Sequence, residues 1–312
     1  MTGTRNIAAA GDRRRGAAGL AMTAAAGLWA DMAEAQPAGP PDGPAWRIDG
    51  IAGWSAPAGL EGGGKVAAAR GYAGAGVSVP LGGGVSVGFE AGGGFTDYRF
   101  SDGAAAPWGD IRDVRVTLPV RFGLGDRGTA ILAPSLRWTA ETDADLADGR
   151  SAGLFAAAFW KLSDSLTLGP GIGVFSEPWD DTDVFAFLAI DWKITARWRL
   201  STGQGVGATQ GPGLSLSYAV TEALAIGIAG RIEDSTFRLD DRGPAPGGYG
   251  EARSLPVVAT LDWSPHPGLA ASAFLGVDTG GTLTLRDGDG HRVDERDVDP
   301  APVLGAQIRV RF

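Results

Sequence analysis

The stretch Pro302-Val303-Leu304-Gly305-Ala306-Gln307-Ile308-Arg309-Val310-Arg311-Phe312 decides the fold class. In an extended strand Leu304, Ala306, Ile308, Val310 and Phe312 fall on one side, and Gly305, Gln307, Arg309 and Arg311 on the other. One face suits hydrocarbon and the other water. An outer-membrane β-barrel closes with such a strand, its final aromatic at the lipid interface. The expectation is an all-β, membrane-spanning, antiparallel up-and-down β-barrel in the bacterial outer membrane, with lipid as its first partner. The same strand offers an edge to the barrel-insertion machinery, a second expected partner.

The opposite end of the 312-residue chain agrees with that address. Arg5 and the run Arg13, Arg14, Arg15 precede the uncharged stretch Gly16 to Ala30, and Ala33-Glu34-Ala35 supplies small residues before Gln36. Residues 1–35 read as a secretory signal peptide, 36–44 as a periplasmic segment and 45–312 as the barrel. No other uncharged run is long enough for a transmembrane helix, which needs about 20 apolar residues, so any span is β. There is no cysteine, which removes disulfides, thiol chemistry and cysteine zinc sites. Removing residues 1–35 takes away four basic and three acidic groups, so 27 basic and 36 acidic become 23 and 33, a net of −10. That acidity, with no basic stripe, argues against nucleic acid as a partner.

From Ala45 onward about fourteen alternating segments can be drawn, with twelve to sixteen as the range, each near the 9–11 residues that a tilted span requires. The clearest has Val114, Val116, Leu118, Val120 and Phe122 alternating with Arg115, Thr117, Pro119 and Arg121. Another alternates Val184, Ala186, Leu188, Ile190 and Trp192. Links after odd-numbered strands are the longer ones and are rich in Asp, Gly and Pro. They include Pro57 to Lys65, Ser101 to Asp110, Asp240 to Ala252, and a charged loop running to Asp299 after a strand Leu269 to Val277. Phe122, Trp160, Trp192, Tyr218, Trp263 and Phe312 each precede a short turn or the chain end on the apolar face, as a periplasmic aromatic girdle would. A soluble β-propeller also repeats an aromatic about every 40 residues, but a blade needs four short strands in that interval and here there are two long ones. Pro119, Pro134, Pro170 and Pro256 fall inside assigned strands, where bulges or water-facing positions must absorb them.

Several stretches resemble an uncharacterised family of bacterial outer-membrane β-barrel proteins defined only as a domain of unknown function. They are Gly211-Pro212-Gly213-Leu214-Ser215-Leu216-Ser217-Tyr218, Phe237-Arg238-Leu239-Asp240-Asp241 with Gly243-Pro244-Ala245-Pro246-Gly247-Gly248, Arg253-Ser254-Leu255-Pro256, and Asp299-Pro300-Ala301-Pro302. The resemblance covers mainly the C-terminal half. It implies a similar barrel and brings no activity, cofactor or catalytic residue.

The candidate site is the lumen. With the apolar parity facing lipid, the inward set near the periplasmic end holds Arg121, Lys161, Asp191, Lys193, Arg199, Asp262, Arg309 and Arg311. Basic groups outnumber acids there, which reads as a pore whose inner end favours anions, or as charges that pair across strands and fill the lumen. A three-residue turn at Ile194 to Ala196 sets Trp192 opposite Trp198 outside and Asp191 opposite Arg199 inside. Phe155, Phe159, Phe185 and Phe187 share the inward parity, so part of the lumen is packed and the pore is narrow. The leading expectation is therefore a narrow passive channel for a small solute. The alternative is a non-conducting structural or surface-interaction barrel, and a rim hydrolase comes third. The chain has two histidines: His266 in a short turn and His291 in an outside loop, neither within a catalytic motif, so no enzyme is expected. Asp287, Asp289, Asp294, Glu295, Asp297 and Asp299 do not match a calcium-loop spacing, and Arg286, Arg292 and Arg296 offset them, so no metal or cofactor is expected.

Overall fold

The computed structural model describes residues 43–179, 181–202 and 213–312. The expected signal peptide and most of the segment 36–44 lie outside the described residues, as do Gly211 and Pro212. Seventeen extended segments form one sheet. In three places two of them run end to end as one wall strand, so the wall has fourteen strands, 17 − 3. They are β1 (Ala45–Gly59), β2 (Lys65–Gly82), β3 (Val85–Ser101), β4 (Ile111–Thr117 with Val120–Leu124), β5 (Gly128–Glu141) and β6 (Arg150–Lys161). The wall continues with β7 (Leu166–Ser176), β8 (Thr182–Lys193), β9 (Trp198–Thr202) and β10 (Gly213–Ala219). It finishes with β11 (Leu224–Arg231 with Glu233–Arg238), β12 (Tyr249–His266), β13 (Leu269–Arg286) and β14 (Arg292–Val298 with Ala301–Arg311). Each pairs antiparallel with the next, and β14 pairs with β1 from Arg47↔Arg311 to Ser55↔Val303. Closure leaves no edge strand, as a sheet surrounded by lipid requires.

The apolar parity faces outward. Leu275 is 62% exposed and Ile228 63%, and Leu304, Leu188, Leu132 and Ile308 join them in a belt that only lipid would cover. Trp160, Trp192, Trp263 and Phe312 are exposed beside the short turns or the chain end, while Phe122 and Tyr218 are half-buried. This wall, closed by β-pairing and banded by apolar side chains, is that of an outer-membrane β-barrel.

Two of the four prolines fall at breaks in the ladder, as expected, and two do not. Pro119 falls between the two segments of β4, where its carbonyl accepts the Gly88 N–H at 2.7 Å, and Pro256 sits at a register shift between β12 and β13. Pro134 and Pro170, by contrast, stay paired within strands on the outward, lipid-facing parity and not at water-facing positions. Inside, Phe155 and Phe159 are buried, and Phe155 stacks on Phe187 with ring centroids 4.9 Å apart. Phe187 and Phe185 lie flat over Gly171 and Gly173, where a Cβ would come within 1.8 and 2.3 Å of the rings. Glycine here makes room for aromatics in the inner wall.

Sequence and structure part company at the outer end. β13 does not stop at Val277 but runs to Arg286, and most of the charged stretch expected as a loop is strand, with 287–291 as its tip. Likewise β12 begins at Tyr249, inside the expected loop Asp240 to Ala252, and the first link shrinks to 60–64. Above the bilayer neither face of a strand meets lipid, so the alternation that marks a span fades while backbone pairing continues.

β11 also crosses the mouth. Arg238 near its tip pairs in parallel with Ala140 of β5, on the far side of the ring. There the Asp240 N–H donates to Glu141 Oε2 at 2.9 Å, and Arg242 pairs with Asp143.

Candidate functional site

Three layers fill the lumen. The outermost is an apolar cap under the infolded tip of β11. Phe237 is fully buried and meets the edge of Trp108, with ring centroids 4.9 Å apart at 80°. Leu60, Val66, Ile111, Leu283 and Leu285 pack around them. Trp108 comes from the stretch Ser101 to Asp110 that reads as a polar loop, so one aromatic within it escaped the sequence reading. Burial against a partner six strands away leaves no mark on local polarity.

Beneath the cap lies a layer of paired charges. Arg70 of β2 reaches across the lumen and its Nη1 donates to Glu233 Oε2 of β11 at 2.7 Å. On the β4–β5 wall Arg137 Nε donates to Asp113 Oδ2 at 2.5 Å, Thr139 Oγ1 donates to the same oxygen at 3.3 Å, and Arg115 Nη2 approaches Asp113 Oδ1 at 3.4 Å. The Arg115 guanidinium also stands 5.3 Å from the centroid of the Tyr72 ring. These groups surround an internal cavity of about 110 Å³. Sequence reasoning missed this layer. Alternation puts Asp113 and Arg115 inward, but nothing in the chain says that Arg70 and Glu233, 163 residues apart, face each other.

The third layer, toward the short turns, holds the charges singled out from the sequence. Arg199 grips Asp191 with both nitrogens, Nε to Oδ1 at 2.6 Å and Nη2 to Oδ2 at 2.8 Å. The contact was expected, but its register was not. Arg199 lies opposite Lys193 and Asp191 opposite Ser201, while Trp192 faces Leu200 and Trp198 faces Tyr218. The expected turn would pair Lys193 with Arg197, but the first pair is Lys193↔Arg199 across 194–198, two residues more, which slides the strands by two, and the long arginine reaches diagonally to its partner. Asp262 accepts from Thr260 Oγ1 at 2.9 Å and Ser272 Oγ at 2.6 Å. Lys161 Nζ turns to Asp164 at 2.9 Å in the exposed turn, and Lys193 is exposed. Arg121 lies opposite Ile131 and Ser86, Arg309 opposite Asp49, and Arg311 opposite Arg47. Acids not counted from the sequence stand here as well, since Arg47 pairs with Asp49 at 3.1 Å and Glu90 at 3.0 Å.

At the outer rim the link between β7 and β8 docks on the back of the infolded strands. Trp179 lies 5.0 Å below the Arg286 guanidinium and 5.2 Å from the Tyr249 ring, whose hydroxyl donates to the Pro178 carbonyl at 3.3 Å. Burial, with Asp183, Asp234 and Glu251 close by, pushes the Glu177 carboxyl up to about 8. The two histidines remain outside: His266 ends β12, and the exposed His291 stands 3.4 Å from Asp287. Asp287, Asp289 and His291 bring one possible ligand atom each within 4.8 Å, but Asp287 Oδ1 already accepts the N–H groups of Asp289 and His291.

No family model matches the chain, and no curated protein does. Among solved structures the chain is similar to an outer membrane channel from Pseudomonas putida F1, with 15% identity, 88% of this chain and 97% of that one covered, and a TM-score of 0.47. It is also similar to a Pseudomonas aeruginosa FadL homologue, with 13% identity, coverage of 86% and 90%, and a TM-score of 0.49. The toluene transporter TodX of P. putida is a third, with 9% identity, coverage of 88% and 91%, and a TM-score of 0.44.

Proposed function

We propose that this barrel is a narrow passive channel for a small solute, closed at its outer mouth in the conformation described, with an inner end that favours anions. The observation that carries the reading is the set of charged groups, Arg70, Glu233, Asp113, Arg115 and Arg137, on the wall of the cavity of about 110 Å³ beneath the cap. A purely structural barrel could fill its centre with apolar side chains at lower desolvation cost. Each ionised group costs several kcal/mol, roughly, to desolvate, and such groups inside a membrane protein mark solute paths. Arg121, Arg309 and Arg311, on inward parity below the cavity, would raise the local concentration of anions.

A second reading rests on the cap itself. Trp108 against Phe237 closes the mouth with apolar contact, as suits a non-conducting barrel that acts through its outer loops. The test is current through a planar bilayer containing the folded chain, in symmetric salt and then across a gradient. Discrete steps with an anion-favouring reversal potential, weakened in Arg121→Glu, are expected. A folded barrel that stays silent would instead support the second reading.

A further inference from the structure

The cavity beneath the cap has unlike walls. On the β4–β5 side two guanidiniums, Arg115 and Arg137, share the single carboxylate of Asp113. That wall carries an excess of positive charge, and the nine-tenths-buried Arg115 has an Nε–H with no acceptor among the described residues. On the β11–β13 side stand three carboxylates, Glu233, Asp234 and Asp278; Arg253 pairs with Asp234 at 2.7 Å, and Arg70 reaches across to one Glu233 oxygen. Glu233 is also more than nine-tenths buried, and neither its Oε1 nor Asp278 Oδ1 receives a hydrogen bond among the described residues. Arg231, the other cation near Glu233, does not line the cavity.

A buried donor on a cationic wall, facing buried acceptors on an anionic one, is costly unless something supplies the missing partners. A lone anion would satisfy only the first wall and a lone cation only the second. We infer that the cavity is a binding site for a small zwitterion, a molecule carrying an ammonium and a carboxylate a few bonds apart. Its carboxylate would meet Arg115, and its ammonium Glu233 and Asp278. A cavity of about 110 Å³ holds roughly eight waters' worth of space, enough for a solute with a backbone the size of glycine and a small side chain. As the solute class of the proposed channel, the inference rests on that reading, yet binding and current are measured separately.

The experiment is equilibrium dialysis of the full folded chain in detergent against labelled glycine, with acetate and methylammonium as single-charge competitors. One saturable site per chain is expected, with each competitor at least about tenfold weaker than unlabelled glycine. Binding should fall by about tenfold or more in Glu233→Gln and Arg115→Lys, the latter keeping the charge but losing the Nε–H fork. Ala252→Leu fills the cavity without touching a charge and should abolish binding while the barrel keeps its heat-modifiable mobility. The inference falls if acetate binds as well as glycine, if the folded Ala252→Leu barrel binds glycine undiminished, or if the folded parent chain binds none. Glycine binding by a barrel that passes no current would uphold the site and sink the channel. Current without glycine binding would do the reverse.

Discussion

Asp113 ties three lumen side chains together. It serves Arg137, Arg115 and Thr139 at once, and Arg115 in turn stands against Tyr72. Removing it leaves two guanidiniums facing each other without a counter-charge, and an uncompensated buried charge costs about 3–5 kcal/mol. Asp113→Asn should therefore lower the stability of the folded barrel by about that amount, read from its urea midpoint in lipid vesicles. A change below about 0.5 kcal/mol, the size of a typical surface substitution, would mean that this cluster does not hold β4 to β5. By contrast, Arg199 and Asp191 were legible as a pair because both lie within one hairpin. Their register was not, because a turn longer by two residues keeps each side chain on its face but moves every cross-strand neighbour.

Two elements decide what happens at the outer end. The first is the infolded tip of β11, whose Phe237 seals against Trp108. Phe237→Ala should cost about 3–5 kcal/mol and widen the mouth, so single-channel steps in planar bilayers should grow relative to the parent. Steps of unchanged size would show that the cap is not the constriction. The second element is the link between β7 and β8, which keeps Glu177 protonated at neutral pH among Asp183, Asp234 and Glu251. The docked carboxyl titrates near 8 against an ordinary 4.5, so the docked state holds a proton that an undocked link gives up within that window. Docking should thus weaken as pH rises from about 4.5 toward 8 and level off above it. Cleavage by an added protease at 177–181 should follow that course in the parent. In Glu177→Gln it should be flat with pH, and a parent profile equally flat would refute the coupling.

For the whole molecule, the parity of the wall sets the cost of charge. Leu275 and Ile228 point outward in mid-strand, so Leu275→Arg and Ile228→Arg should each destabilise the barrel by about 2–4 kcal/mol in vesicles. Phe312→Arg, at the interface, should cost about 0–1 kcal/mol. Equal costs at all three sites would contradict the placement of the belt. Closure through β1 and β14 makes this a property of the ring and not of single strands. Every outward side chain meets the same lipid, and every inward one shares a lumen with partners from the far wall.

By itself the sequence determined the fourteen-strand wall, its lipid face, the short turns at one end and the phenylalanines packed inside. Each of these follows from a period of two along a strand and from the chemistry of the two solvents on either side. The tertiary structure alone decided that β11 folds over the mouth, that Trp108 lies beneath it, and that Arg70 meets Glu233 across the lumen. Such contacts join residues far apart in the chain only once the sheet has closed, and no local pattern encodes which inward side chains will then stand face to face.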